Sequence, residues 1–442
     1  MRSTLIFNCV LIAITSTASF NLPFAKRQPT NLYSIDISES SQRDIASFLE
    51  WSTNVGIQYD LQLTTCTNVD DATKNDVYAI AMRDLPAESC VLYVPNEVFL
   101  SSNSMQQFDN SAANLNQAEL PVFSIFLQLL QQYELDRESP YYGYLNSLPR
   151  YYTNGGSMTS FCFGCLPPYA AGLALEDKNR LKKFVNALDS VSSLSYDVKS
   201  NKDLTSWAYN ALYTRYQELP NGNICLIPMV DYLNHGGVNS NAYVTYDEGG
   251  NAYVYTAYDV TAGDPIHICY GDPTNPSALL ARYGFLDDSS QATFCKYVIT
   301  NPSYQLYDLG YPSSMLFYKD GSISQEVWDV ILYQELGKVS LEDQRSFYQA
   351  CINGDETTKQ GYLNQYRDQT LFELQHHVNH LINELEELDI GLMTQFNMGQ
   401  DATNYPRLPL LMKHNDFVKQ VFDNVEKNLD NILFSWSSSG ES

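Results

Sequence analysis

Between Asn221 and Phe285 two short polar clusters stand inside apolar, β-rich sequence, and they limit what the chain can fold into. The first is Asp231-Tyr-Leu-Asn234-His235, which follows the apolar run Ile224 to Ile227 that Pro228 ends. The second is Cys269-Tyr270-Gly271, at the end of the run Pro265 to Tyr270. Polar groups so placed must find partners or serve a ligand. Residue types alone leave three readings open. Asp231 and His235 are four apart and could share a metal on a helix, with only His267 near as a further ligand. Cys225 or Cys269 could pair with His235 or His267 as a thiol nucleophile, although no small-residue elbow presents either sulfur. Asn234 and His235 could also be a satisfied turn that ties two strands.

The rest of the chain supplies a scaffold of mixed character. Its 442 residues, 44% hydrophobic, are enough for two or three domains. Ser41 to Trp51 predicts an amphipathic helix with Ile45, Phe48 and Leu49 on one face. Tyr59 to Cys66, Val77 to Met82 and Cys90 to Pro95 read as strands. From Leu100 the pattern turns helical: Leu120 to Tyr133 with Pro121 in its first turn, Leu173 to Leu188, and Asp203 to Leu219 capped by Asp203. Ser139 to Tyr152, aromatic and broken by prolines, predicts a packed loop. Ile224 to Ile227 returns to strand. Ala242 to Tyr246 and Ala252 to Tyr258 predict a hairpin across Asp247-Glu-Gly-Gly-Asn. From Tyr304 the expectation is helix throughout, with Tyr362 to Leu388 the clearest amphipathic stretch.

At the N-terminus, Arg2, the apolar run Leu5 to Ile14 and the small residues after it predict a cleaved targeting segment. The run is too short to span a bilayer. Lys26, Arg27 and a hydroxyl-rich stretch without acids before Asp36 follow, which resembles a two-part plastid presequence; plain secretion is the alternative. A net charge of −25 argues against nucleic-acid binding and admits a basic partner, such as a lysine-rich protein segment. Nine cysteines are scattered, with one C-x-x-C at Cys162 and Cys165 and no second pair to complete a metal site. Tyrosine is frequent, at 33 residues, and combines apolar area with a polar tip.

The order of motifs separates the readings. A strand, Asp-x-x-Asn-His, a hairpin, a strand ending in Cys-Tyr-Gly, and then Tyr283-Gly284-Phe285 resembles the SET-domain protein methyltransferases, in particular the branch of the Rubisco large-subunit lysine methyltransferase. Met82-Arg83-Asp84-Leu85 with Cys90 to Pro95, the Ser139 to Pro149 segment, and Trp207-Ala208 with Thr214-Arg215 are similar to further motifs of that branch, in the same order. The resemblance implies an α+β fold: a β-rich SET core over 36–300 with a helical insert about 101–220, then an all-helical substrate-binding domain over 301–436. A presequence over 1–35 and a disordered tail over 437–442 complete the expected organisation. It also implies S-adenosylmethionine as cofactor, a protein substrate and methyl transfer to a lysine amine. Another side chain such as histidine, or a non-catalytic binding module on the same fold, is the alternative. Tyr270 is the implied catalytic residue. Arg215, Asp231, Asn234, His235 and Tyr283 are the implied cofactor contacts, with Asp76, Val77 and Tyr78. The family's glycine-rich turn at that last place is here Asn75 to Ala79, without glycine. No metal is implied.

Overall fold

The computed structural model describes residues 34–67, 75–102, 115–272, 274–294, 303–311, 315–397 and 405–439. All of the expected presequence before Ser34, and the last three residues of the expected tail, lie outside the described residues.

Helix α1 (Ile45–Asn54) begins where the Asp44 carboxylate accepts from the Ser47 amide at 3.0 Å. That cap leaves Ser41 to Asp44 outside the helix expected to include them. Strands β1 (Gln58–Tyr59), β2 (Leu61–Thr67) and β3 (Asn75–Ala81) follow, then β4 (Cys90–Val94) and β5 (Leu100–Ser101). β2 and β3 pair antiparallel from Leu61 opposite Ala81 to Thr67 opposite Asn75.

The helical block holds α2 (Leu120–Glu134), α3 (Tyr142–Ser147), α4 (Ser160–Gly164), α5 (Pro168–Leu188), α6 (Tyr196–Ser200) and α7 (Lys202–Tyr213). Here α3 corrects the loop expected over Ser139 to Tyr152. Its C-terminal carbonyls are collected by buried Arg150, which donates to the Asn146 and Leu148 oxygens at 2.9 and 2.7 Å. Helix α7 is capped by Asn201, whose side chain accepts from the Leu204 amide, and not by Asp203. It stops at Tyr213, six residues short of Leu219, because the Arg215 amide turns back to the Leu212 carbonyl.

The chain returns to β structure with β6 (Gln217–Glu218), β7 (Ile224–Leu226), β8 (Asn234–His235), β9 (Ala242–Tyr246), β10 (Ala252–Thr256) and β11 (His267–Ile268), then α8 (Pro276–Tyr283) and β12 (Ala292–Phe294). One sheet runs β1-β4-β10-β9, and another β5-β7-β6. β10 ends two residues before Tyr258. There the Thr256 hydroxyl donates to the Pro86 carbonyl and its amide to Ser89. The expected strand Pro265 to Tyr270 shrinks to β11, which lies parallel to β8 with His267 opposite Asn234. The two polar clusters of the sequence therefore meet side by side.

Beyond them come α9 (Tyr304–Asp308), β13 (Leu316–Tyr318), α10 (Gln325–Val339), α11 (Leu341–Asn353), α12 (Glu356–Gln365), α13 (Arg367–Asn397) and α14 (Leu408–Ser439). β13 breaks the expected run of helices. It pairs with β12, Phe317 opposite Thr293, and turns at Asp320-Gly321, where Gly321 takes φ 86°. Ser437 to Ser439, expected in a disordered tail, continue α14.

One buried apolar core draws on residues from Ile35 to Ile268, and a second on Leu306 to Leu429. A third cluster joins them: Leu166 and Ala174 from the insert, Leu280 of α8, and Leu411 of α14.

Candidate active site

A cleft of about 690 Å³ opens where β3, the end of α7, β8 and the Tyr270 to Phe285 segment converge. Its walls include Asp76, Val77, Arg215, Asp231, Asn234, Tyr270 and Tyr283.

Tyr270 stands at the centre. Its hydroxyl donates to the Leu233 carbonyl at 2.6 Å, so the side chain of one polar cluster is fastened to the backbone of the other. Burial pushes its hydroxyl well above the ordinary phenol range, which keeps it protonated and a donor. Tyr283 closes the same corner: its hydroxyl donates to the Tyr270 carbonyl at 3.0 Å, and the two rings lie 4.9 Å apart. Gly284 caps α8 at φ 80°, which lets Phe285 turn back to stand edge-on to Tyr270 at 6.2 Å.

Arg215 lies just past α7, its side chain 17% exposed. It donates to Thr214 Oγ1 at 2.7 Å, and its Nε lies 3.6 Å from Asp231 Oδ2. Asp231 sits in a short turn entered through Met229, whose φ of 73° is rare for a residue with a side chain. Asp231 Oδ2 accepts from the Tyr144 hydroxyl at 3.0 Å. Burial raises the Asp231 carboxyl above its ordinary range, and Arg215 and Tyr144 pull it back. The guanidinium of Arg215 stays charged throughout.

Two of the implied cofactor contacts, His235 and Tyr78, are not among the cleft's walls. The His235 imidazole is buried away from the cleft: Nδ1 accepts from the Tyr270 amide at 3.1 Å, and Nε2 faces Asp287 Oδ2 at 3.3 Å. Accepting at Nδ1 puts the proton on Nε2, toward the carboxylate. His235 thus holds the Tyr270 backbone and does not line the site. Tyr78, also not among those walls, stands opposite Thr64 in the β2–β3 ladder. Asp76 does line it, 46% exposed, with Oδ1 accepting from the Val77 amide and 3.8 Å from Arg43 Nη1. Asn234 lines it with a side chain that makes no hydrogen bond among the described residues.

The sequence reading missed Arg43, Tyr152 and Phe285 as cleft residues. Arg43 donates to the Ser147 carbonyl at 2.6 Å and lies over the Tyr232 ring at 5.1 Å. It is a basic residue just ahead of a helix, a signal too common to single out. The Tyr152 ring faces the Arg215 guanidinium at 5.9 Å, and its buried hydroxyl has no hydrogen-bond partner among the described residues.

The thiol and metal readings find no geometry. Burial pushes the Cys225 thiol up to about 12, and Cys269 Sγ turns to the Gly271 carbonyl at 3.0 Å. Neither cysteine lines the cleft, and no group of three potential metal ligands exists among the described residues.

No protein-family model matches the chain, and no curated protein matches its sequence. Solved structures do match in three dimensions. Rubisco LSMT bound to AdoMet superposes with a TM-score of 0.59 at 13% sequence identity, over 88% of this chain and 92% of that one. The fold is the SET-domain fold of Rubisco LSMT. The SET domain of LSMT bound to lysine and AdoHcy matches over the same shares, again at 13% identity and TM-score 0.59. Rubisco LSMT bound to sinefungin and monomethyllysine covers 89% of this chain and 93% of that one at 12% identity, with a TM-score of 0.55. In this fold β8 and β11 lie side by side although a hairpin separates them in sequence.

Proposed function

We propose that this protein is an S-adenosylmethionine-dependent protein methyltransferase acting on a lysine amine. The observation that carries the reading is the protonated Tyr270 hydroxyl, held at the crossing of the two polar clusters in one cleft with Arg215, Asp231 and Asn234. The fold's structural neighbours were solved with AdoMet, AdoHcy or sinefungin, and with lysine or methyllysine.

The residues present fit such a ligand. The cleft has the volume of a small-molecule site. Tyr152 Oη and Asp231 Oδ1, both in its walls, are buried polar atoms without a partner in the protein, as expected where a polar ligand completes the set. Arg215 would hold the cofactor's carboxylate through a charge-assisted bond. Asp76 and the Asn234 amide would bind its other polar groups. Bound there, the cofactor supplies a methyl group on a sulfonium cation. The protein's share is positioning, which can account for ~7–11 kcal/mol of a barrier. Tyr270 would orient the target amine through its hydroxyl, and Tyr283 and Phe285 would wall the amine's chain. Burial among these rings lowers an ammonium pKa, so the amine can arrive neutral without a dedicated base. The helical C-terminal region would engage the protein substrate, and the N-terminal segment would direct the chain to a plastid.

The test is transfer of labelled methyl from S-adenosylmethionine to protein. Tyr270→Phe should keep the fold and lower the transfer rate by roughly 10²-fold, the cost of a misplaced reactant. Transfer at the wild-type rate in that variant would remove Tyr270 from the centre of the mechanism. A chain that shows no heat on mixing with S-adenosylmethionine in calorimetry would be a binding module and not an enzyme.

A further inference from the structure

The β1-β4-β10-β9 sheet carries an aromatic strip on the face turned away from the core. Its inner face is Val91, Val94, Ala242, Ala252 and Val254, all buried. Its outer face presents Tyr93, Tyr253, Tyr255 and Tyr243. Tyr93 stands directly opposite Tyr253, and Tyr255 directly opposite Tyr243; Tyr253 and Tyr255 are two apart on one strand. The rings follow one another at 5.1, 6.2 and 6.0 Å, and the last two pairs are stacked within 20° and 26° of parallel.

Carboxylates flank the strip. The Tyr243 hydroxyl donates to Glu88 Oε2 at 2.7 Å, and the Tyr253 hydroxyl lies 3.3 Å from Asp247 Oδ2. Glu88 holds φ 62°, a left-handed backbone that a residue with a side chain adopts at a cost. A phenol that donates to a carboxylate gains electron density on its ring, and the ring face is where a cation binds. The protein brings no cation to this face from its own strands. From Asp84 to Asp136, and from Tyr216 to Ala281, the sequence contains no lysine or arginine. Every ring–cation contact found among the described residues lies elsewhere, on Tyr151, Tyr152, Trp207, Tyr213, Tyr216, Tyr232, Tyr283 and Phe417.

We infer that this strip is a docking surface for an arginine-rich polypeptide segment. Guanidinium planes stack on the tyrosine faces while Glu88 and Asp247 pair with their edges. A second copy of the chain, with a net charge of −25, is a poor occupant. The inference stands apart from the methyl-transfer reading, because none of these residues lines the cleft.

The probe is a synthetic (Arg-Gly)6 peptide titrated into the full chain at about 150 mM salt, where diffuse surface charge is screened beyond ~8 Å. It should bind more tightly than (Lys-Gly)6. The variant Tyr253→Thr with Tyr255→Thr, which leaves the net charge unchanged, should weaken binding roughly tenfold, as the loss of two cation–π contacts predicts. Unchanged affinity in that variant, or equal affinity for the two peptides, overturns the inference and leaves general acidity as the cause. If the double variant does not fold, hydrogen exchange on the unaltered protein decides. Slowed exchange over 242–256 with the (Arg-Gly)6 peptide supports the surface, and unchanged exchange there refutes it.

Discussion

Tyr152 carries a buried hydroxyl that no described residue satisfies, while its ring faces the Arg215 guanidinium. A group in that state contributes little to folding, because its desolvation is not offset by a bond. Tyr152→Phe should therefore leave stability unchanged or raise it by up to about 1 kcal/mol, measured by urea unfolding. If the hydroxyl meets the cofactor, the same substitution raises the KM for S-adenosylmethionine roughly tenfold at unchanged fold. A KM equal to wild type would take Tyr152 out of the binding site. His235 teaches the opposite lesson at the same scale. Sequence placed it among the cofactor contacts, yet both ring nitrogens are engaged by the Tyr270 amide and Asp287. Which of two adjacent side chains, Asn234 or His235, faces a ligand depends on their alternation in β8, and two residues of sequence do not reveal that.

Among the elements, the end of α8 is the one on which the site's geometry depends most. Gly284 takes φ 80°, and a Cβ there would strike Thr153 Oγ1, the Thr153 carbonyl carbon and the Asn154 amide. Thr153 already donates to the Gly284 carbonyl, which locks the Tyr151 to Asn154 segment against Tyr283 and Phe285. Gly284→Ala should cost about 1–3 kcal/mol through backbone strain alone, with the clash in addition. A thermal melt indistinguishable from wild type would show that the turn relaxes freely. The strands show why element boundaries were harder to read than elements. The Ala242 to Thr256 hairpin was legible from its turn residues and alternation. The end of α7 at Tyr213, the helix α3 and the strand β13 were not. β13 exists only through its pairing with the remote β12. α3 and the end of α7 are set by local bonds that no periodicity reveals, from Arg150 to the Asn146 and Leu148 carbonyls and from the Arg215 amide to Leu212.

At the scale of the whole molecule, the contact between the first core and the long C-terminal helices contains a fully buried histidine. His414 of α14 faces Ser277 Oγ of α8 at 2.9 Å, and the adjacent Asn415 donates to the Cys165 carbonyl at 2.8 Å. Burial lowers the His414 pKa to about 4, against 6.5 for the free side chain. A group whose folded pKa is depressed binds its proton more readily unfolded. Its stabilising share is therefore present above pH 6.5 and is lost as the pH falls toward 4. The loss from this group is about 2 kcal/mol between pH 7 and pH 5. Asp177, raised to about 6 by burial, works in the other direction over part of the same window. The difference between wild type and His414→Gln isolates the histidine. Urea titrations at pH 7 and pH 5 should show the wild type losing about 2 kcal/mol more than the variant. Equal losses would mean that His414 is hydrated and titrates normally.

The sequence by itself determined that a β-rich core is interrupted by helices, that two polar clusters must share a purpose, and that Tyr270, Arg215, Asp231 and Asn234 are the residues to watch. The first rests on hydrophobic period and turn chemistry. The shared purpose of the clusters and the four residues rest on the resemblance of the motif order to the SET-domain methyltransferases, beside the cost of burying unpaired polar groups. The tertiary structure decided that β8 and β11 run parallel and adjacent, that His235 and Tyr78 are not among the cleft's walls, and that Arg43, Tyr152 and Phe285 are. It also decided that the tyrosines of β4, β9 and β10 line up on one outer face. Strand pairing and side-chain direction are set by contacts between segments far apart in sequence, and they exist only once the chain has closed on itself.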